Sequence, residues 1–130
     1  TLIAAAYKSG KKVVSSMGAG GKTDPTQIRV ADLYETHTCK LAFYVRKRLK
    51  KMEVAKGVRA VYSLEEMDKD SLVMTDGSNF KQSAYGTISY LPAAFGGVAA
   101  SVVIRDLLGI SIETQKRPKM MKGSNIKKKK

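Results

Sequence analysis

Residues 16–25 read Ser16-Met17-Gly18-Ala19-Gly20-Gly21-Lys22-Thr23-Asp24-Pro25, directly after the apolar run Lys12-Val13-Val14-Ser15. A phosphate-binding loop has the form G-x-x-x-x-G-K-[S/T] between a strand and a helix, its amides cradling phosphates and its lysine reaching the outer ones. Gly21-Lys22-Thr23 supplies the end of that form, but the first glycine would fall at Ser16. Asp24-Pro25 then stands where the phosphate-capping helix would begin, and a residue before proline is driven out of the α region. The stretch reads instead as a turn. Gly18, Gly20 and Gly21 permit backbone angles that other residues resist, and Asp24-Pro25 fixes the exit.

Working outward, Lys12 to Ser16 is a short strand, and Thr26 to Leu33 alternates polar and apolar residues with Ile28, Val30 and Leu33 facing inward. Upstream, Thr1-Leu2-Ile3-Ala4-Ala5-Ala6-Tyr7 reads as the middle or end of an uncapped helix stopped at Gly10. Downstream, Thr36 or Thr38 can cap an amphipathic helix over Leu41 to Met52. Its apolar face is Leu41, Tyr44, Val45, Leu49 and Met52, opposite Lys40, Arg46, Lys47, Lys50 and Lys51. That basic face is either a solvated surface or a contact for an RNA backbone. Val58 to Ser63 is a further strand, Leu64 to Ser83 a long polar loop, and Gly86 to Leu91 a last strand. Pro92 at a first helical position opens a helix over Ala93 to Leu108, closed by Gly109 and apolar enough to be buried in the core or against a partner. Gly96, Gly97, Ala99, Ala100 and Ser101 let another backbone approach it closely.

The chain has 130 residues, 43% of them hydrophobic and 27% charged, which fits one globular domain of ordinary size. The uncharged run Gly86 to Ile104 spans 19 residues but holds a proline and three glycines, so it reads as part of a domain and not as a membrane segment. A single cysteine, Cys39, excludes an internal disulfide and a cysteine-built zinc site and agrees with a reducing cytoplasm, and a single histidine, His37, leaves a metal site poorly supplied. Cys39, beside a helix start, reads as structural. No histidine cluster or nucleophile elbow is present. The net charge is +13, and eight basic side chains with no acid lie between Gln115 and Lys130. Much of the charge is therefore a tail, expected to be disordered and attractive to polyanions.

The order Lys12-Val13-Val14-Ser15-Ser16-Met17-Gly18-Ala19-Gly20, Asp24 to Leu33, Val45-Arg46-Lys47-Arg48-Leu49-Lys50-Lys51, Val61-Tyr62-Ser63 and Gly86 to Gly96 resembles the C-terminal half of the ThiF/HesA/MoeB superfamily. The phrase G-A-G-x-x-x-D-P-T-x-I-x-V-x-D-L is similar to its tRNA threonylcarbamoyladenosine dehydratase branch. The resemblance implies an α/β fold: the C-terminal half of a Rossmann-like ThiF-type domain, with a mixed sheet and packed helices. Residues 1–110 would be that half and residues 111–130 the basic tail. In such a fold SMGAGGKTDP is the turn that leaves the last parallel strand and feeds the strand Thr26 to Leu33.

The parent reaction so implied uses ATP and Mg to adenylate a carboxyl group, which then cyclises on a modified tRNA adenosine. The partners would be tRNA, a second copy in a homodimer and the missing N-terminal half, in the cytoplasm and with no membrane. The family's nucleotide-binding turn and its catalytic residues lie in the N-terminal half, upstream of Thr1. The chain itself is thus expected to bind neither ATP nor metal and to be inactive alone. What it would supply is tRNA contact through Arg46, Lys47, Arg48, Lys50 and Lys51, and dimer or packing contact through Phe95, Gly96, Gly97 and Ala100. Two alternatives stay open, an adenylyltransferase of a sulfur-carrier or ubiquitin-like protein and a non-enzymatic RNA-binding module. Sulfur-transferring relatives can use a cysteine in the segment matching Leu64 to Tyr85, where this chain has none.

Overall fold

The computed structural model describes residues 1–67, 72–74 and 83–119, with residues 72–74 and 83–85 as backbone only. Three strands, β1 (Val13–Ser16), β2 (Ile28–Asp32) and β3 (Val58–Ser63), form a mixed sheet in the order β1-β3-β2. β1 runs parallel to β3, with Val13 opposite Val58, and β2 runs antiparallel to it, with Val30 opposite Val61. Alternation along the central strand sorts its side chains between two faces. Val58, Ala60 and Tyr62 join Ala4 of α1 (Leu2–Lys8) and Ala42 and Leu49 of α2 (Lys40–Lys50) on one face. Val61 meets Leu91 and Phe95 of α3 (Tyr90–Leu107) on the other. The result is a helix–sheet–helix sandwich, the α/β architecture expected.

Several boundaries differ from expectation. α1 does have a cap, because the Thr1 side chain accepts from the Ala4 amide. The strand expected over 26–33 is shortened at both ends by 3-10 turns, Pro25–Gln27 capped by Asp24 and Leu33–Glu35 capped by Asp32. Neither Thr36 nor Thr38 caps α2. The Cys39 Sγ accepts from the Ala42 amide instead, while the Thr36 hydroxyl donates to the Leu33 carbonyl. α2 ends in a reversal in which Glu53 takes a φ of 61° and the Val54 amide returns to Leu49 O. The loop expected over Leu64 to Ser83 contains strand β4 (Leu72–Met74), which pairs antiparallel with β5 (Ser83–Tyr85). Its remaining parts, 68–71 and 75–82, lie outside the described residues.

No strand forms over Gly86 to Leu91. The Gly86 carbonyl accepts from the Gly21 amide, and α3 begins at Tyr90, which lets Leu91 and Phe95, four residues apart, both bury on Val61. Pro92 is accordingly the third helical residue, still within the turn whose amides have no helical acceptor. α3 is buried in the core of this chain along one side only. Leu91, Phe95 and Val102 are buried, whereas Val103, Ile104 and Leu107 are exposed, Leu107 to 82%. Its length and composition alone would suit a membrane span, but its packed side makes it one outer layer of the sandwich. Asp106 anchors its far end, accepting from Arg59 at 2.7 Å and pairing with Lys12 at 2.9 Å.

Part of residues 111–119, expected to begin a disordered tail, is held at the free edge of β2 and at the turn that follows it. The Gln115 amide donates to Val30 O at 2.7 Å and the Arg117 amide to Glu35 Oε2 at 3.1 Å. Main-chain pairing at a sheet edge satisfies groups that would otherwise need water. Residues 120–130 are outside the described residues.

Candidate nucleic-acid interface

The glycine turn is held in a form that does not serve phosphate. Lys22 is only 2% exposed, and its ammonium donates to Glu65 O at 2.5 Å and Ser63 O at 3.4 Å. The Glu65 carboxylate reaches back to accept from the Thr23 amide at 3.0 Å and the Asp24 amide at 2.9 Å. Burial holds the Lys22 pKa below its ordinary value. The amides that would cradle a phosphate are thus occupied by the chain's own carboxylate, and the lysine points inward. Of Gly18, Gly20 and Gly21, only Gly21 takes a positive φ, 68°. A Cβ at Gly18 would meet Leu41 at 3.7 Å, an ordinary contact, so that glycine is not demanded by backbone geometry.

The basic helix α2 is turned relative to the face expected from spacing. Ala42 and Leu49 are buried and Val45 half-buried, while Leu41 and Tyr44 stand exposed and Phe43 is 53% exposed. Ala42 and Leu49 join the core cluster that holds Tyr62, with Val45 packed against it, so the side of α2 turned to the sheet is the Ala42–Val45–Leu49 side. With the helix so rotated, Phe43, Arg46, Lys47 and Lys50 share one side, at offsets of three, four and seven residues.

That side forms one wall of a groove of about 590 Å³, closed by Tyr34, Glu53, Val54, Ala55 and Arg117. Arg46 is half-buried and oriented, its Nη1 donating to Thr36 O at 3.0 Å and to the Thr36 hydroxyl oxygen. Tyr34 is fixed by donating its hydroxyl to Val54 O. Burial, and then the positive charge of Arg117, lower the Arg46 pKa. The Arg117 Nε is buried without a hydrogen-bond partner.

Of the five expected tRNA-contact residues, Arg46, Lys47 and Lys50 line this groove, and Arg48 and Lys51 are exposed elsewhere. Phe95, expected at a dimer or packing contact, is a core residue of this chain, whereas Gly96, Gly97 and Ala100 are exposed. Phe43 was not among the expected residues, although its spacing to Arg46, Lys47 and Lys50 is a signal that the sequence carries. Tyr34 and Arg117 carried no local signal. Among the described residues no group of three or more His, Cys, Asp or Glu could hold a metal.

No model of a known protein family matches the chain. It is 46% identical over 67 residues to tRNA threonylcarbamoyladenosine dehydratase 2 of Saccharomyces cerevisiae, covering 52% of this chain and 15% of that protein. It is 34% identical over 103 residues to the Bacillus subtilis tRNA threonylcarbamoyladenosine dehydratase, covering 74% of this chain and 41% of that one. Among solved structures, the Escherichia coli tRNA N6-threonylcarbamoyladenosine dehydratase in complex with ATP superposes with a TM-score of 0.69 at 33% identity, over 83% of this chain and 42% of that one. The chain spans less than half the length of the curated relatives it matches.

Proposed function

The chain's curated relatives and structural neighbours are tRNA threonylcarbamoyladenosine dehydratases, members of the ThiF family, and from that premise we propose that it is part of an ATP-dependent enzyme of this kind. The reaction would activate the carboxyl of a threonylcarbamoyl group on a tRNA adenosine and close it into a ring with loss of water. The observation that carries this reading is the likeness to the ATP-bound dehydratase across 83% of the chain at 33% identity.

The described residues do not fit ATP. Lys22 is spent on main-chain carbonyls and the amides beside it on Glu65, which leaves none of these donors of the glycine turn for a nucleotide phosphate. We assign ATP, and Mg with it, to the remainder of a longer parent. What these residues contribute is the three-stranded sheet, the paired strands β4 and β5, and a cationic surface for tRNA. Arg46, Lys47, Arg48, Lys50 and Lys51 would neutralise phosphates from one rigid helix.

A homodimer accords with α3, whose exposed residues Gly96, Gly97, Ala100, Val103, Ile104 and Leu107 recur at helical spacing opposite the packed Leu91, Phe95 and Val102. A cytoplasmic location, in keeping with a tRNA substrate, is part of the same proposal. The test is to incubate the full-length protein with ATP and tRNA bearing threonylcarbamoyladenosine, and to weigh the released nucleoside. Loss of one water per nucleoside, with AMP formed, is expected. An unchanged nucleoside, with AMP formed only when a small carrier protein ending in Gly-Gly is supplied, would overturn the reading in favour of a carrier-activating enzyme.

A further inference from the structure

We propose that the groove between α2 and the returning segment 115–117 binds one unpaired RNA nucleotide, its phosphate taken by Arg46, Arg117, Lys47 and Lys50 and its base laid on Phe43. The choice of RNA rests on the function proposed above; the site itself rests on four observations.

Four cations and one acid, Glu53, line the groove. Two of the cations are guanidinium groups brought near enough for Arg117 to depress the Arg46 pKa. Like charges held together in a partly buried place repel, and an anion between them removes the repulsion. Both are also positioned beforehand. Thr36 fixes Arg46 through two acceptors, and Glu35 accepts the Arg117 amide, which sets that residue's backbone.

The Arg117 Nε is buried with its hydrogen-bonding capacity unused. Buried donors are nearly always paired, so this one marks a place where an acceptor is due. A phosphate oxygen suits the planar fork of guanidinium donors.

The remaining lining distinguishes a nucleotide from a bare anion. Phe43 is half exposed on the same side of α2 as Arg46, Lys47 and Lys50, steadied edge-on by Tyr44 at 5.4 Å. Tyr34, Val54 and Ala55 continue the apolar wall, and about 590 Å³ lies within the range of ligand pockets. A duplex keeps its bases turned inward, whereas an unpaired strand can lay a base on an aromatic ring while its phosphate meets adjacent cations.

Fluorescence anisotropy of a labelled short oligouridylate on the full-length protein tests this, since a pyrimidine strand does not compete for an adenine-nucleotide site. Lys47→Glu and Arg117→Gln should each weaken binding about tenfold and reduce the salt slope by about one. Phe43→Ala should weaken it about tenfold with the salt slope unchanged, and Phe43→Tyr should restore it. Phe43 and Lys47 are exposed, so these variants leave the core intact. Unchanged binding by Phe43→Ala, or an equal loss from Lys11→Glu, an exposed lysine outside the groove lining, would overturn the inference and leave only diffuse attraction. Oligouridylate binding as expected in a protein that does not cyclise tRNA would overturn the function proposed and keep the groove. Cyclisation with no response at Phe43 or Arg117 would do the reverse.

Discussion

Lys22 and Glu65 hold each other's backbone. The Lys22 ammonium donates to Glu65 O at 2.5 Å, and the Glu65 carboxylate accepts from the amides that follow Lys22, at Thr23 and Asp24. The reciprocal pair ties the glycine turn to the chain leaving β3, and it makes a stretch that resembles a phosphate loop into a structural clasp. Lys22→Ala strips the donor from the buried Ser63 carbonyl and the partly buried Glu65 carbonyl and leaves a void, so it should lower stability by roughly 2–4 kcal/mol. Urea unfolding of the full-length protein measures this; a loss under about 0.5 kcal/mol would mean the clasp contributes little.

Gly57 takes a φ of 95° between α2 and β3, and a Cβ there would lie 3.4 Å from the Tyr7 ring. Gly57→Ala combines backbone strain with a tight contact and should cost about 1–3 kcal/mol. Gly10→Ala also meets a positive φ, of 74°, but nothing within 4 Å, so it should cost less. Thermal unfolding of the two variants side by side gives the comparison, and equal losses would leave the Tyr7 contact without effect.

Asp106 is held below the usual carboxylate range by hydrogen bonds from Arg59 and then Lys12. A carboxyl whose pKa is depressed on folding stabilises the fold above its unfolded value, here 3.8, and that contribution is lost as pH falls through the lower folded value. Asp106→Asn should therefore flatten the pH dependence of stability below about pH 4, with less difference at high salt. Identical acid unfolding curves for the variant and the parent would remove Asp106 from the account of how α3 is anchored.

Tyr62 is fully buried, and burial raises its pKa to about 12. Its phenolate is disfavoured in the folded state, so stability falls as pH rises from about 10 toward 12. Tyr62 should therefore ionise late, and burial, then the Asp32 carboxylate, push the Tyr34 hydroxyl up as well. The phenolate absorbance lost in Tyr62→Phe should titrate near the upper value, and a midpoint near 10 would show that water reaches the ring.

Ile104 is exposed on the stripe proposed as a dimer contact. Ile104→Glu should shift the sedimentation profile to monomer while the circular dichroism spectrum stays that of the folded parent. A dimer that persists through the substitution would place the contact elsewhere.

The amino-acid sequence by itself determined the α/β class, the strands at Val13–Ser16 and Val58–Ser63, and the kinship to the dehydratases, because these rest on local alternation and on a motif read in order. It also excluded the phosphate loop, since a proline and a misplaced serine act locally. Boundaries set by distant partners were beyond it. α3 starts at Tyr90 because Leu91 and Phe95 reach Val61, and Cys39 caps α2 because Thr36 is engaged with Leu33 and Arg46. The basic helix was legible, but which of its sides faces the sheet was not, for Ala42, Val45 and Leu49 pack on the core while Leu41 and Tyr44 stay exposed. Only the tertiary structure brings Arg117 to Arg46. Its amide finds Glu35 across 82 positions of sequence, and no periodicity encodes a meeting fixed by one segment held at the edge of β2 and at the turn that follows it.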